Sequence, residues 1–199
     1  EEEGFWIEVL AGRPDLEGTV QEQDMLVRVS HPGESSWDQL KLNPFGPGDV
    51  NGDGYADFGF TRFGNLGVDG WVVDPLGAVY LVYGGPDLPS EMDAEQADVK
   101  IVGNGDPWFG EYASGVGDVN GDGLMDFAVS ATGSDIESEI DEFPGRVFVF
   151  FGGPTLEDKQ TADDADLIIS STIPDETKLE ESIPFTALQF RVVEPPRRR

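Results

Sequence analysis

The chain has 199 residues, enough for a sizeable core in one or two domains. Its 40 acidic and 12 basic residues give a formal net charge of −28, which argues against nucleic acid or an anionic membrane as a partner. The absence of cysteine excludes disulfides and thiol chemistry. No apolar run reaches the length of about 18 residues typical of a membrane span, so we expect no membrane-spanning segment.

The first predicted element is a strand that recurs twice further along the chain. GFWIEVLAGRPDL (4–16) is followed by GAVYLVYGGP from Gly77 and by GRVFVFFGGP from Gly145. Each copy is rich in β-branched and aromatic residues and stops at Gly and Pro. A further predicted strand follows each copy after an acidic stretch, at 21–30, 94–103 and 161–170. With 26 glycines, 14 prolines and no helical period, the chain is predicted to be all-β.

Two nearly identical acidic loops, DVNGDGYAD and DVNGDGLMD, lie between these strands and start 69 residues apart, at 49 and 118. Each loop places oxygen-bearing side chains at positions 1, 3, 5 and 9, and a glycine at the sharp turn of position 6. Oxygen ligands of this kind suit Ca²⁺, which takes about 6–8 of them, and the backbone carbonyl of position 7 is a natural addition. The predicted ligands are Asp49, Asn51, Asp53, Tyr55 and Asp57 for one ion, and Asp118, Asn120, Asp122, Leu124 and Asp126 for a second.

A turn of Asp, Asn and Gly without any metal is the simpler alternative, because these residues favour turns. Two near-identical copies favour ion binding, since convergent carboxylates repel one another when no cation lies between them. The loops resemble the start of an EF-hand, but Phe60 and Val129 stand where an EF-hand has a bidentate Glu. The segments that follow, DFGFTRFG and DFAVSATG, are short, apolar and β-leaning, whereas EF-hand and dockerin modules need a helix there. We therefore predict that each loop leads directly into a strand.

The repeated elements define a unit in which a Phe-Gly pair precedes each acidic loop. We predict one repeat domain over residues 1–193, with units at about 17–90 and 91–160 and partial units on either side. Less chain separates Phe-Gly from the acidic loop in the first unit, so we expect that unit to be irregular. IPFTALQFRVV (183–193) is a candidate closing strand, and the basic tail 194–199 is expected to be disordered or to dock on an acidic surface.

The order Phe-Gly, DxNxDGxxD, apolar strand and GxVYxxYGGP-like strand resembles the FG-GAP repeat. This is the Ca²⁺-bearing blade of integrin α-subunit β-propellers and of many bacterial surface proteins. The resemblance covers about residues 4–170 and implies four-stranded antiparallel blades with Ca²⁺ held by the inter-strand loops. The Gly-Ala-Pro element of the family is only partly present, as VSATG (129–133). Such propellers usually close with about seven blades, and this chain has two full units and parts of others. We therefore expect an incomplete or partner-completed propeller, with a compact β-domain that reuses the repeat as the alternative.

Residues that could carry another activity have weaker support. His31 is the only histidine and has no obvious partner motif, and Ser35, Ser36 and Ser114 lack the context of a nucleophile elbow. We therefore predict no enzymatic activity. Trp71, together with the acidic loop 134–142, is the best candidate for a contact surface, although tryptophans in such repeats are more often part of the core.

These patterns predict a non-enzymatic, calcium-stabilised β-module that mediates protein–protein contacts, either in adhesion or in assembly of a larger complex. The expected partners are proteins or further propeller blades. The alternatives are a lectin-like module that binds a glycan through Trp71 or Trp37, and an accessory domain of a secreted enzyme. Millimolar Ca²⁺ occurs outside cells, so we expect an extracellular, cell-surface or periplasmic location, with a signal peptide already removed ahead of Glu1.

Overall fold

The computed structural model describes residues 5–10, 25–31, 42–62, 77–105, 108–132 and 145–170. The strands of these ranges are β1 (Phe5–Leu10), β2 (Met25–His31), β3 (Leu42–Gly48), β4 (Asp57–Arg62), β5 (Ala78–Val82), β6 (Glu91–Asp93), β7 (Val99–Val102), β8 (Phe109–Gly117), β9 (Asp126–Ala131), β10 (Arg146–Phe150) and β11 (Leu167–Ser170). Helical structure in the same ranges is limited to the 3₁₀ turns Ala94–Gln96, Leu156–Asp158 and Ala162–Asp164. The predicted all-β class is confirmed.

The strands form two four-stranded antiparallel sheets and one smaller sheet, none of which closes into a barrel. The order β3-β4-β5-β7 defines the first blade, and the order β8-β9-β10-β11 defines the second blade. The third sheet has the order β1-β2-β6, with β6 parallel to β2. This arrangement fits incomplete propeller blades, as the resemblance implied.

The core lies mainly between the two blades. Val79 and Leu81 of β5 share one buried cluster with Phe148 and Phe150 of β10. Both central strands, AVYLV and RVFVF, are almost entirely buried, because each has a sheet neighbour on both sides and apolar side chains on both faces. A second cluster on the other face of the first blade includes Val27 and Val29 of β2 with Phe60 and Tyr80 of the blade.

The repeated sequence elements correspond to equivalent strands in the two blades. GAVYLVYGGP contains β5 and GRVFVFFGGP contains β10, while the acidic stretches lead to β7 and β11. Both acidic loops lead directly into strands, β4 and β9, as predicted. The shorter first unit still completes a four-stranded sheet, because β3 begins at Leu42, three residues before Phe45-Gly46, whereas β8 begins at Phe109-Gly110 itself.

Several segments singled out in the sequence lie outside the described residues. These are Ser35, Ser36, Trp37, Trp71, the acidic loop 134–142, the segment 183–193 and the tail 194–199. None of the helical segments that the structure describes has the length and apolar character of a membrane span.

Candidate functional site

The position-1 aspartate shapes each acidic loop. Asp49 Oδ1 accepts hydrogen bonds from the backbone N–H groups of Gly52 (2.7 Å) and Asp53 (3.1 Å), and Asp49 Oδ2 accepts one from Gly54 (2.9 Å). In the second loop, Asp118 accepts the same three bonds, from Gly121, Asp122 and Gly123. The glycines at loop positions 4 and 6 adopt positive φ, which lets the chain turn around this carboxylate. The two loops therefore have the same local conformation.

Positions 3 and 5 complete the turn. Asn51 Oδ1 accepts the N–H of Asp53 at 3.0 Å, and Asp53 Oδ1 accepts the N–H of Tyr55 at 2.8 Å. Asn51 Nδ2 also donates to Asp53 Oδ2 at 3.0 Å. Asn120, Asp122 and Leu124 repeat all three bonds in the second loop.

The position-9 aspartates have a different environment, because they are buried. Asp57 is 3% exposed and accepts the N–H of Val50 at 2.7 Å and the N–H of Gly84 at 2.8 Å. Asp126 is fully buried and accepts the equivalent bonds, from Val119 at 2.8 Å and from Gly152 at 2.9 Å. Each of these carboxylates therefore joins the start of its loop to a Gly-Gly-Pro turn, which follows β5 in the first blade and β10 in the second.

This link explains why the Gly-Gly-Pro motif recurs with the acidic loop. A Cβ at Gly84 would lie 2.2 Å from the carbonyl oxygen of Ala56. A Cβ at Gly152 would lie 2.5 Å from that of Met125 and 2.6 Å from that of Val50. Only glycine lets the turn approach closely enough to donate to the buried aspartate. Sequence reasoning missed this role, although the shared repeat spacing of the two motifs was a signal for it.

The electrostatics of the first loop are unfavourable for a carboxylate. Burial raises the pKa of Asp57 above its ordinary value, the hydrogen bonds from Gly84 and Val50 oppose this, and the charges of Asp53 and Asp49 add to it. The ion pairs found among the described residues, such as Lys100–Glu95 and Lys159–Asp166, involve no carboxylate of either acidic loop. The described part of the chain therefore supplies these carboxylates with no compensating side-chain cation.

The donor set of the loops fits calcium in its chemistry. It consists of carboxylate, amide and backbone oxygens only, as hard cations prefer. A carboxylate has about four lone-pair sites, and Asp57 uses two of them for N–H groups. In the described ranges, however, no three His, Cys, Asp or Glu side chains are grouped closely enough to hold a metal ion. The ten predicted ligands therefore stay a prediction.

The two loops contact each other across the blades. The N–H of Met125 donates to the carbonyl of Asp49 at 3.1 Å, and the N–H of Gly153 donates to the carbonyl of Val50 at 2.7 Å. Val50 is fully buried as a result, whereas its counterpart Val119 is 45% exposed. The acidic loop of the first blade is thus also part of the interface between the blades.

The other residues considered as catalytic or binding candidates are not brought together in the described part of the chain. The Ser114 hydroxyl donates to the carbonyl of Gly115 at 3.2 Å and lies on exposed β8 surface. His31 is the last residue of β2. Trp108 stands directly before β8 with a φ of 65°. The lectin-like alternative rests on Trp37 and Trp71, both outside the described residues, and so it stays a prediction.

Comparison with protein families identifies part of the chain. Residues 112–150 match the model of the FG-GAP repeat, over a range that contains the second acidic loop, β9 and β10. The chain therefore carries an FG-GAP repeat, and the resemblance predicted from the sequence is confirmed. A search of curated proteins found no match.

Proposed function

We propose that this protein is a non-enzymatic β-propeller-type module, stabilised by two calcium ions, that mediates protein–protein contacts outside the cell in adhesion or assembly. The observation that carries the proposal is the repetition of one loop conformation, once inside the matched FG-GAP repeat and once 69 residues earlier. The FG-GAP repeat is typical of integrin-like propeller modules without enzymatic activity.

The charge of the loops supports calcium as the stabilising group. Each loop carries three aspartates, one of which is buried. Among the described residues, no Lys or Arg forms an ion pair with any of these aspartates. A bound calcium ion would neutralise charge that otherwise opposes folding. The remaining lone pairs of Asp57 and Asp126 and the carbonyls of Tyr55 and Leu124 would complete an oxygen cage around it.

An exposed apolar strand supports the protein-contact part of the proposal. Leu167, Ile168 and Ile169 lie on β11, the edge strand of the second blade, and all three are exposed. At the equivalent positions of the first blade, Val99 and Ile101 are buried in the cluster shared with the second blade. An exposed apolar surface of this kind packs readily against another chain. We propose that a further blade of the same kind is the partner that it fits.

Removal of calcium tests the proposal. When the calcium concentration is about tenfold above Kd, each site adds about 1.4 kcal/mol of stability, or about 3–6 °C in Tm for a protein of this size. We expect EDTA to lower Tm by that amount per site, and native mass spectrometry to count two ions per chain. Asp53→Ala and Asp122→Ala should each remove one ion, whereas Asp87→Ala, which removes an exposed charge outside both loops, should remove none. An unchanged Tm in EDTA and a mass without ions would contradict the proposal.

A further inference from the structure

We infer that the two acidic loops bind their ions cooperatively, because hydrogen-bonded backbone groups connect a predicted ligand of the second loop to a predicted ligand of the first. This inference rests on the proposed calcium function and adds to it a coupling between the two sites. Neither loop would then act as an independent site, although each one carries a complete set of predicted ligands.

The connection starts at the peptide group between Leu124 and Met125. Its carbonyl oxygen is the predicted position-7 ligand of the second loop, and its N–H donates to the carbonyl of Asp49 at 3.1 Å. That carbonyl belongs to the peptide group between Asp49 and Val50, whose N–H donates to Asp57 Oδ2 at 2.7 Å. Two peptide groups and two hydrogen bonds therefore join the Leu124 carbonyl to the Asp57 carboxylate.

A second connection runs beside the first. The N–H of Gly153 donates to the carbonyl of Val50 at 2.7 Å, and the N–H of the preceding Gly152 donates to Asp126 Oδ1 at 2.9 Å. The same glycine turn therefore holds the buried carboxylate of the second loop and the backbone of the first. Val50, Asp57 and Asp126 are all buried, so water does not compete strongly for these bonds.

The physical basis of the coupling is the rigidity of peptide groups. A peptide group is planar, so a cation that fixes the Leu124 carbonyl also fixes the direction of the Met125 N–H. An ion in the second loop therefore orders the start of the first loop, and the next ion meets a lower ordering cost.

Calcium affinity measured one site at a time tests the coupling. Asp122→Ala removes a predicted ligand of the second loop, and Asp53→Ala removes one of the first. Calorimetry should show that the remaining site of each variant binds Ca²⁺ at least about fivefold more weakly than the same site in the wild type, by a similar factor in both directions.

Terbium provides a separate readout, because only the first loop carries a tyrosine at position 7, Tyr55. Tyr55-sensitised terbium luminescence should therefore rise at higher ion concentration in Asp122→Ala than in the wild type.

A matched pair of glycine variants tests the route without removing a ligand. Gly48 and Gly117 precede the two loops at equivalent positions, both with positive φ. A Cβ at Gly48 would lie 2.8 Å from Met125 Cγ, whereas a Cβ at Gly117 would meet nothing within 4 Å. We expect Gly48→Ala to reduce the effect of Asp122→Ala on the first loop, and Gly117→Ala to leave it unchanged.

The outcomes separate the two proposals. Wild-type protein that binds no ion would overturn the calcium function itself. Two bound ions, with the affinity of the first loop unchanged by Asp122→Ala, would overturn the coupling and leave the calcium function intact. Equal coupling in the two glycine variants would overturn the assigned route through Met125.

Discussion

Substitution of Gly84 by alanine tests the role assigned to the buried aspartate and the glycine turn. The added Cβ would lie 2.2 Å from the carbonyl oxygen of Ala56, and a tolerated contact needs a separation of at least about 3.0 Å. The turn must therefore move by about 0.8 Å, which stretches or breaks the 2.8 Å bond from the Gly84 N–H to Asp57. Overpacking of this kind costs about 1–3 kcal/mol, and a lost bond to a charged group costs about 1.5–3 kcal/mol.

We expect Gly84→Ala to lower the free energy of unfolding by about 3 kcal/mol, because the two costs overlap in part. This corresponds to a decrease in Tm of about 6–12 °C. Urea denaturation followed by circular dichroism, carried out in EDTA, measures the loss independently of any ion. Gly85→Ala is the matched control, since a Cβ at Gly85 meets nothing within 4 Å, and it should be neutral or stabilise by about 0.4–1 kcal/mol. Equal stability of the two variants would refute the reasoning.

Three further predictions concern buried or half-buried polar groups. The Thr61 hydroxyl is buried and none of the described residues hydrogen-bonds to it, so Thr61→Val should raise the free energy of unfolding by about 1 kcal/mol. Ser130→Ala, at the equivalent position, should lower that free energy, because the Ser130 hydroxyl bonds to the backbone of the neighbouring strand; calorimetry compares the two. Burial raises the pKa of Tyr83 from 10.0 to about 12. The stability that the neutral Tyr83 side chain contributes is therefore complete below pH 10 and is lost as the pH rises to 12. Between these pH values, the denaturation midpoint should decrease less in Tyr83→Phe than in the wild type. Asp126→Asn places an NH₂ group against one of the two backbone N–H donors of Asp126. It should lower the free energy of unfolding, measured in EDTA, by at least about 2 kcal/mol. A decrease no larger than that caused by Asp87→Asn, at an exposed position, would contradict this prediction.

Local patterns were sufficient to predict the repeated strands and the two acidic loops, but not the strands β3 and β6. The runs of β-branched and aromatic residues with their Gly and Pro stops located β5 and β10, and the short, apolar, β-leaning segments after both acidic loops correctly indicated strands there. The repeat spacing likewise placed the two loops at equivalent sites of two blades. These features depend on residues close together in the sequence, so a repeat reveals them.

Contacts between distant residues were not predictable in the same way. Asp57 and Gly84 are 27 residues apart. The ligand pattern of a nine-residue loop contains no information about an N–H donor, such as that of Gly84, that lies outside the loop. The pairing of β6 with β2 was missed as well, because a strand as short as Glu91–Asp93 shows no alternation to recognise. The contact of Met125 with Asp49 depends on how two blades pack, which neither loop sequence specifies alone.

The bonds between the blades join different parts of the two units. Met125 and Gly153 of the second blade donate their N–H groups to the carbonyls of Asp49 and Val50. In the opposite direction, the Val102 N–H and the Asn43 side-chain amide of the first blade donate to the carbonyls of Gln160 and Glu111. The two units therefore meet through different surfaces, in a heterologous rather than a self-complementary contact. Such a contact repeats from head to tail, so each further blade of the same kind would meet its neighbour through the same pair of unlike surfaces.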